Sequence, residues 1–452
     1  MFSNIKSVYF IGIGGISMSA LALILKSRGI IVKGSDVKLS EITDRLQTNG
    51  IEIVHGDCPQ FVEECDAIVF TGAIPENNQD LILAKKLGKL VYSRSQLLGF
   101  LSKEKKTISV AGTHGKTTTT GMISCTLLHA GLDPTIHIGG LLNAINSNLH
   151  LGEGDCFVTE ACEYKDAFLS LSSFVSVVLN IEEDHLDYFK SFDNIISSFN
   201  QFIENTDQNG TIVYNFDNCN GKLDSKILKR FKNISFGFSD GADLQAQNVF
   251  EFARGRYSFD AFFKGKCLSN FKLACFGRHN IINALATIAV AICLNVKIED
   301  IVCGIEDFKG IGRRMELIRD DSPLIIHDYA HHPQEIEESL KTIKSLSDNK
   351  LVCIFQPHTF SRTKDLYNEF LSCFDFCDEV WFLPIYPARE KEIKGISSEN
   401  LAKDLNLHGK PSRFFSSFET CKQEILKDKN FNCSFAILGA GDIEILAKML
   451  KR

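Results

Sequence analysis

The residues best equipped for chemistry sit in one short run, Gly112-Thr113-His114-Gly115-Lys116-Thr117-Thr118. An apolar segment, Ile108 to Ala111, precedes it, and a helical pattern follows to Gly131. Strand, glycine turn and helix start together make an anion site, because free N–H groups and the positive end of the helix dipole face the ligand. Lys116 can neutralise β- and γ-phosphate charge, and the Thr117 hydroxyl can ligate Mg²⁺. The spacing departs from the usual G-x-x-x-x-G-K-[ST] loop, since Val110 stands where the first glycine belongs. A plain surface turn is the alternative; the strand before and the helix after weigh against it.

Two further apolar runs end in ligand-type residues. "CFVTEAC" carries Glu160 and then Glu163; "FVSVVLNIEEDHLDYF" carries Asn180 and then Asp184, His185 and Asp187. In an open α/β sheet, ligands collect at such carboxyl ends of strands. Glu163 reads as a helix cap or a solvated charge, while Asp184 and Asp187 stay open between that reading and a metal. "GRHNIINALATIAVA" puts Asn280 and Asn283 on one helical face. Arg313 and Arg314 stand together at a proposed hinge. "HDYAHHP" supplies Asp328, Tyr329, His331 and His332, and "FQPHTFSRT" supplies His358 and Arg362. An amino acid needs a cation for its carboxylate and an acceptor for its ammonium. Arg362 with Tyr329 and His331 suits that need; ordinary histidine caps on two strand-end loops are the alternative. "YFIGIGGISMS" is a strand, a glycine turn and a helix, with Asp36 placed 24 residues after Gly12. That resembles a dinucleotide turn, but Ser17 replaces its third glycine.

These residues need strands and helices to hold them. The first hundred residues alternate short apolar strands with helical patterns, the rhythm of a parallel sheet. A second such unit starts at Ile108 and a third past "FKGIGRRME". The expected α/β domains are 1–104, 105–312 and 313–452. At 452 residues, 44% hydrophobic and 23% charged, the chain can bury several cores. It has no apolar run of membrane-spanning length and no signal-peptide pattern at its start. Its 15 cysteines are scattered without C-x-x-C pairs, which favours reduced thiols in a cytoplasm. Net charge is −7 with no basic cluster, so neither nucleic acid nor membrane insertion is expected.

Taken together, "GIGGISMS", "GTHGKTTTT", "HDYAHHP", "FQPHTFSRT" and "GAGDI" resemble the Mur ligase family over nearly the whole chain. That family shares the shortened loop, which accounts for Val110. The resemblance implies an N-terminal Rossmann-like UDP-binding domain, a central P-loop ATPase-like domain and a C-terminal Rossmann-like domain. It implies ATP-dependent ligation of L-alanine to UDP-N-acetylmuramate through an acyl phosphate, in peptidoglycan precursor synthesis, by a monomer or homodimer. By the same resemblance Lys116, Glu160 and His185 are catalytic. Glu160 and His185 hold separate Mg²⁺ ions, one beside Thr117. Gly112 to Thr118 bind ATP phosphates, Asn280 and Asn283 lie at the adenine, Arg314 contacts phosphate and Asp328 the ribose. Gly12, Gly14, Gly15 and Ile16 form the diphosphate turn, with Ser35 and Asp36 near the uridine and Thr71 at the same face of the UDP-sugar site. His331 and His332 are the candidates for the base that deprotonates alanine. Two positions depart from relatives: Gly56-Asp57 stands where histidine often follows glycine, and Thr359 replaces a second arginine. Lys190 is at the wrong distance for a carbamylated lysine. A sister ligase adding a preformed tripeptide, an NAD-dependent oxidoreductase and a non-catalytic nucleotide-binding module are the competing readings.

Overall fold

The structure is a computed structural model that describes residues 5–75, 77–320, 323–347, 349–388, 390–427 and 433–451. Three sheets organise it. The first has strands β1 (Ser7–Ile11), β2 (Ile31–Asp36), β3 (Glu52–His55), β4 (Ala67–Phe70) and β5 (Leu90–Ser93), all parallel, in the order β3-β2-β1-β4-β5. Connections run outward in opposite directions from β1 and β4, so a crevice opens at their carboxyl ends, where Gly12 and Thr71 lie. Val8, Tyr9 and Phe10 of β1 are fully buried. A central parallel strand is covered on both faces, so it reads as a continuous apolar run.

The second sheet contains β6 (Lys106–Ala111), β7 (Thr135–Leu142), β8 (Ser147–His150), β9 (Cys156–Glu160), β10 (Ser173–Val178), β11 (Thr206–Asn215), β12 (Lys232–Gly237), β13 (Leu244–Ala253), β14 (Arg256–Phe263) and β15 (Lys266–Lys272). Their order is β15-β14-β13-β12-β11-β10-β6-β9-β7-β8. The middle is parallel, and antiparallel pairs close both ends, β7 with β8 and β14 with β15. Strand β6 lies between β10 and β9, so the loops after these three strands share one edge.

The third sheet contains β16 (Glu316–Arg319), β17 (Ile325–Asp328), β18 (Lys350–Phe355), β19 (Glu379–Phe382), β20 (Ser412–Phe414) and β21 (Cys433–Leu438), in the order β16-β17-β21-β18-β19-β20. It is parallel except for β16. The loops after β17 and β18 again leave from one edge.

Packing divides the chain into two compact units. One comprises Met1–Phe250, Tyr257–Cys275 and His279–Lys309; the other comprises Gly310–Arg452 with Glu251–Arg256 and Phe276–Arg278. The first unit spans the first two sheets, and a single apolar cluster joins Phe10 and Leu97 to Phe168 and Phe199. Every cysteine is a free thiol. Among the described residues no helix is long and apolar enough to cross a membrane.

Candidate active site

Val110 is a buried strand residue paired across to Val177 and Glu160, so the phosphate loop starts only at Gly112. Gly112 adopts φ +149 and a Cβ there would lie 3.0 Å from the Leu179 Cβ; Gly115 adopts φ +83 at the cap of helix Lys116–His129. Both conformations suit glycine. Asn180, at the end of β10, clamps the loop: its side chain accepts the His114 N–H at 2.8 Å and donates to the His114 carbonyl at 3.1 Å. The Thr113 hydroxyl accepts the Glu182 N–H at 3.0 Å. Thr113 and His114 thus fasten the turn by their own bonds. By helix geometry the N–H groups of Lys116, Thr117 and Thr118 lack intrahelical acceptors and face an incoming anion.

The Lys116 ammonium donates to the carbonyls of Gly112 and Thr113 and to Glu163 Oε1, the last at 2.9 Å. Glu163 corrects the sequence reading. It occupies the cap position of the 3-10 stretch Tyr164–Ser170, but its side chain makes no cap bond. The residue is 3% exposed, and Oε2 is buried without a hydrogen-bond partner. An orphaned buried carboxylate oxygen is costly unless a cation or donor meets it. Ligand atoms of Glu163, Asp184 and His185 all lie within 4.8 Å of one another. Two carboxylates, an imidazole and nearby phosphate oxygens suit a hard divalent cation. The Glu160 carboxylate stands apart, accepting the Thr117 hydroxyl at 3.0 Å and the Gly139 N–H at 2.6 Å. The donor set therefore fits two cations, with Glu160 and Thr117 in one group and Glu163, Asp184 and His185 in the other. His185 has φ +51, and its ring lies 4.7 Å from that of Tyr164. The Asp187 side chain lies outside the described residues.

Asn280 is the first residue of helix Asn280–Cys293, which His279 precedes as cap, and Asn280 and Asn283 are both buried. Asn283 donates to Asn280 Oδ1 at 2.8 Å and accepts the Thr119 hydroxyl at 3.0 Å. It therefore braces the helix that carries the phosphate loop.

In the first sheet, Gly12 adopts φ +82, and a Cβ there would stand 2.7 Å from the Thr71 methyl. The expected diphosphate donors are not equivalent. Gly14 N–H donates to Asp36 Oδ2 at 2.9 Å, and Gly15 N–H points to the Gly12 carbonyl at 3.4 Å. Ile16, 43% exposed, starts helix Ile16–Ser27 and presents the remaining donor. Asp36 is buried and shapes the turn. Ser35 is buried too, its hydroxyl 2.6 Å from the Tyr9 hydroxyl, so it faces the core. Asp57 accepts the Asn78 amide at 2.8 Å.

Within the second unit, Asp328 is buried at the end of β17 and accepts from the N–H groups of Met315 (2.7 Å) and Ala330 (2.9 Å) and from Ser339 (3.2 Å). Burial raises its pKa, with Arg314 opposing. Arg313 and Met315 both have positive φ, so Asp328 pins a strained turn around Arg314. The Arg314 guanidinium sits 5.2 Å from the Tyr329 ring centre. Burial, then Arg362 and Arg314, push the His331 pKa down against the pull of Glu335. His331 Nδ1 lies 3.0 Å from the Tyr329 carbonyl, so as a neutral ring it donates there and keeps Nε2 as acceptor. His332 stands at the cap of helix Pro333–Ser345, where its backbone N–H donates to Glu335 Oε2 at 3.2 Å. His358 is pushed down to about 4 by burial, with Arg362 and His331 adding to the shift, and its Nδ1 accepts from Arg362 at 3.3 Å. Thr359, at φ +68, caps the short helix that carries Arg362. Tyr329, His331, His358 and Arg362 are thus one cluster.

Sequence reasoning gave Arg94 and His137 no role and took Ser17 only as a missing glycine. Arg94 donates to the Ser17 hydroxyl at 3.2 Å, and Ser17 lies 2.9 Å from His137 Nε2. A single histidine in an apolar strand offers no cue of its partner 120 residues away.

The Mur ligase catalytic domain model matches residues 7–106, the Mur ligase middle domain residues 110–291 and the Mur ligase glutamate ligase domain residues 313–441. The UDP-N-acetylmuramate–L-alanine ligase of Clostridium perfringens is 39% identical, over 97% of this chain and 96% of that protein. That of Clostridium kluyveri is 40% identical over 98% and 97%. Among solved structures, UDP-N-acetylmuramate-alanine ligase from Thermotoga maritima superposes with TM-score 0.80 at 28% identity, over 99% of this chain and 98% of that one. A murein peptide ligase from Psychrobacter arcticus shares the fold at TM-score 0.70 and 23% identity. With three matching domain models and relatives aligned along almost its full length, the chain belongs to the Mur ligase family.

Proposed function

We propose that this enzyme uses ATP to join L-alanine to the lactyl carboxylate of UDP-N-acetylmuramate, a step of peptidoglycan precursor synthesis. The observation that carries the reading is the Lys116–Glu163 pair at a glycine loop between two groups of metal-ligand type, in a chain about 40% identical to alanine-adding ligases. The lactyl carboxylate oxygen attacks the γ-phosphorus, the bond to the β-phosphate oxygen breaks, and ADP leaves with an acyl phosphate formed. The alanine nitrogen then attacks the acyl carbon, and the C–O bond to phosphate breaks.

Such transfer depends on positioning and charge neutralisation. Lys116 exchanges Glu163 for phosphate oxygens. Thr117 and Glu160 would hold one Mg²⁺, and Glu163, Asp184 and His185 a second; when bound, these ions neutralise the phosphates. The N–H groups at Lys116 to Thr118 receive phosphate oxygens. Arg362, aimed by neutral His358, binds the alanine carboxylate. His331 Nε2 takes the ammonium proton, a role its neutral ring suits. The free thiols favour a reducing compartment such as the cytoplasm.

Substrate labelled with ¹⁸O in its lactyl carboxylate tests this. Label should pass to the released phosphate only when ATP, the UDP-sugar and L-alanine are all present. Unlabelled phosphate would exclude the acyl phosphate route.

A further inference from the structure

His137 is a buried imidazole on β7 with a defined partner on each nitrogen. Nε2 lies 2.9 Å from Ser17 Oγ, in the first turn of the helix that follows the diphosphate turn. Nδ1 lies 2.9 Å from Thr159 Oγ1 on β9, the residue before Glu160. Arg94 donates to Ser17 Oγ at 3.2 Å, so the Ser17 proton turns to His137 Nε2. Thr159 donates to the Glu160 carbonyl at 3.3 Å, so it accepts the His137 Nδ1–H. The donors therefore run one way, from Arg94 through Ser17, His137 and Thr159 to the backbone of Glu160. Desolvation, with Arg94 adding to it, pushes the imidazole down to about 4, so it is neutral, as this chain of bonds requires. Two outer bonds hold the same contact: Asn148 donates to the Ile16 carbonyl at 2.8 Å, and the Gly139 N–H, two residues past His137, donates to Glu160 Oε1 at 2.6 Å.

We infer that His137 is a positioning residue: through Ser17 and Thr159 it fixes the nucleotide-sugar turn of the first sheet against the strand that carries Glu160. This rests on the proposed ligase reading, in which the turn holds the UDP-sugar and Glu160 lies at the phosphoryl group. A rigid link there sets how far the lactyl carboxylate stands from the γ-phosphate, and sub-ångström placement governs such transfers. Aligned hydrogen bonds reinforce one another in a low-dielectric interior, so breaking one link weakens the others.

The test uses the full-length protein with Ser17→Ala, His137→Asn and the double variant. Melting curves confirm which variants fold, and Ser17→Ala, which keeps the imidazole, serves if His137→Asn does not. Steady-state phosphate release should show kcat at least tenfold lower in each single variant, with the KM for ATP within threefold of wild type. The double variant should be no more than threefold worse than the poorer single one, since both cut one chain. Hydrogen exchange on the ligand-free protein reads the link independently of the reaction. Ser17→Ala should speed exchange at least threefold in peptides covering residues 135–142 and 156–160, far away in sequence. Folded variants with unchanged exchange in those peptides, or with multiplicative kcat losses, would overturn the inference. Wild-type protein that releases no phosphate with UDP-N-acetylmuramate and L-alanine would instead overturn the ligase reading, leaving the exchange result to judge the link.

Discussion

Lys116 is surrounded by acceptors, two carbonyls and Glu163, at the mouth of a helix. Lys116→Ala should remove a fixed positive charge from the phosphoryl transition state, at on the order of several kcal/mol in barrier height. Turnover should fall by three orders of magnitude or more, while calorimetry still shows UDP-sugar binding; near-normal turnover would refute the loop's role. Glu163→Gln keeps the shape but loses the charge that faces Asp184 and His185. The Mg²⁺ concentration for half-maximal rate should rise about tenfold or more, as expected for a ligand substitution rather than a packing defect. An unchanged Mg²⁺ dependence would return Glu163 to a purely structural role. Arg362→Ala should raise the KM for L-alanine about ten- to a hundredfold, corresponding to roughly 1.5–3 kcal/mol for a charge-assisted contact, and barely move that for ATP. Equal changes in both would place Arg362 elsewhere. At this scale the sequence was legible where residue type and local spacing coincide, as in Gly115-Lys116-Thr117. It was opaque for Glu163 and His137, whose meaning lies in burial and in partners 47 and 120 residues away.

The elements that carry these residues were more readily anticipated. β1, β6, β10 and β17 are central or near-central strands of parallel sheets, so their apolar runs announce them. The extension from β11 to β15 was not foreseen. β13 is largely exposed beyond Ala246 and alternates poorly, so neither period marks it. The glycine turn after β1 is legible in the sequence as a shape. Asp36 takes the Gly14 N–H at 2.9 Å and so builds the turn, where a dinucleotide site would use that acid to read a ribose. Thermal shift separates these uses. UDP-N-acetylmuramate at a hundred times its Kd should stabilise the fold by about 2.7 kcal/mol, and NAD should not. Saturable stabilisation by NAD alone would favour the dinucleotide reading.

Among the described residues, His137 in the first unit and His327 in the second are buried histidines pushed down to about 4, with burial the largest cause. The unfolded chain takes up these protons near pH 6.5, the folded chain only near 4. Between those values the unfolded state binds more protons, so stability falls as the pH falls. Each group should cost on the order of 3 kcal/mol by the lower limit. Urea melts should therefore show a lower midpoint at pH 4.5 than at pH 7; an equal or higher midpoint at pH 4.5 would contradict the burial of these rings. For the whole molecule, the central claim is the identity of the amine that is joined. The direct measurement is phosphate release from ATP with UDP-N-acetylmuramate present and each amine supplied in turn, with products weighed by mass spectrometry. L-alanine should drive release and yield the alanyl adduct. Glycine and L-serine should be slower but detectable, since a small pocket discriminates a methyl or hydroxyl by only about 1–3 kcal/mol. Faster ligation of the tripeptide L-Ala-γ-D-Glu-meso-diaminopimelate than of L-alanine would contradict the account.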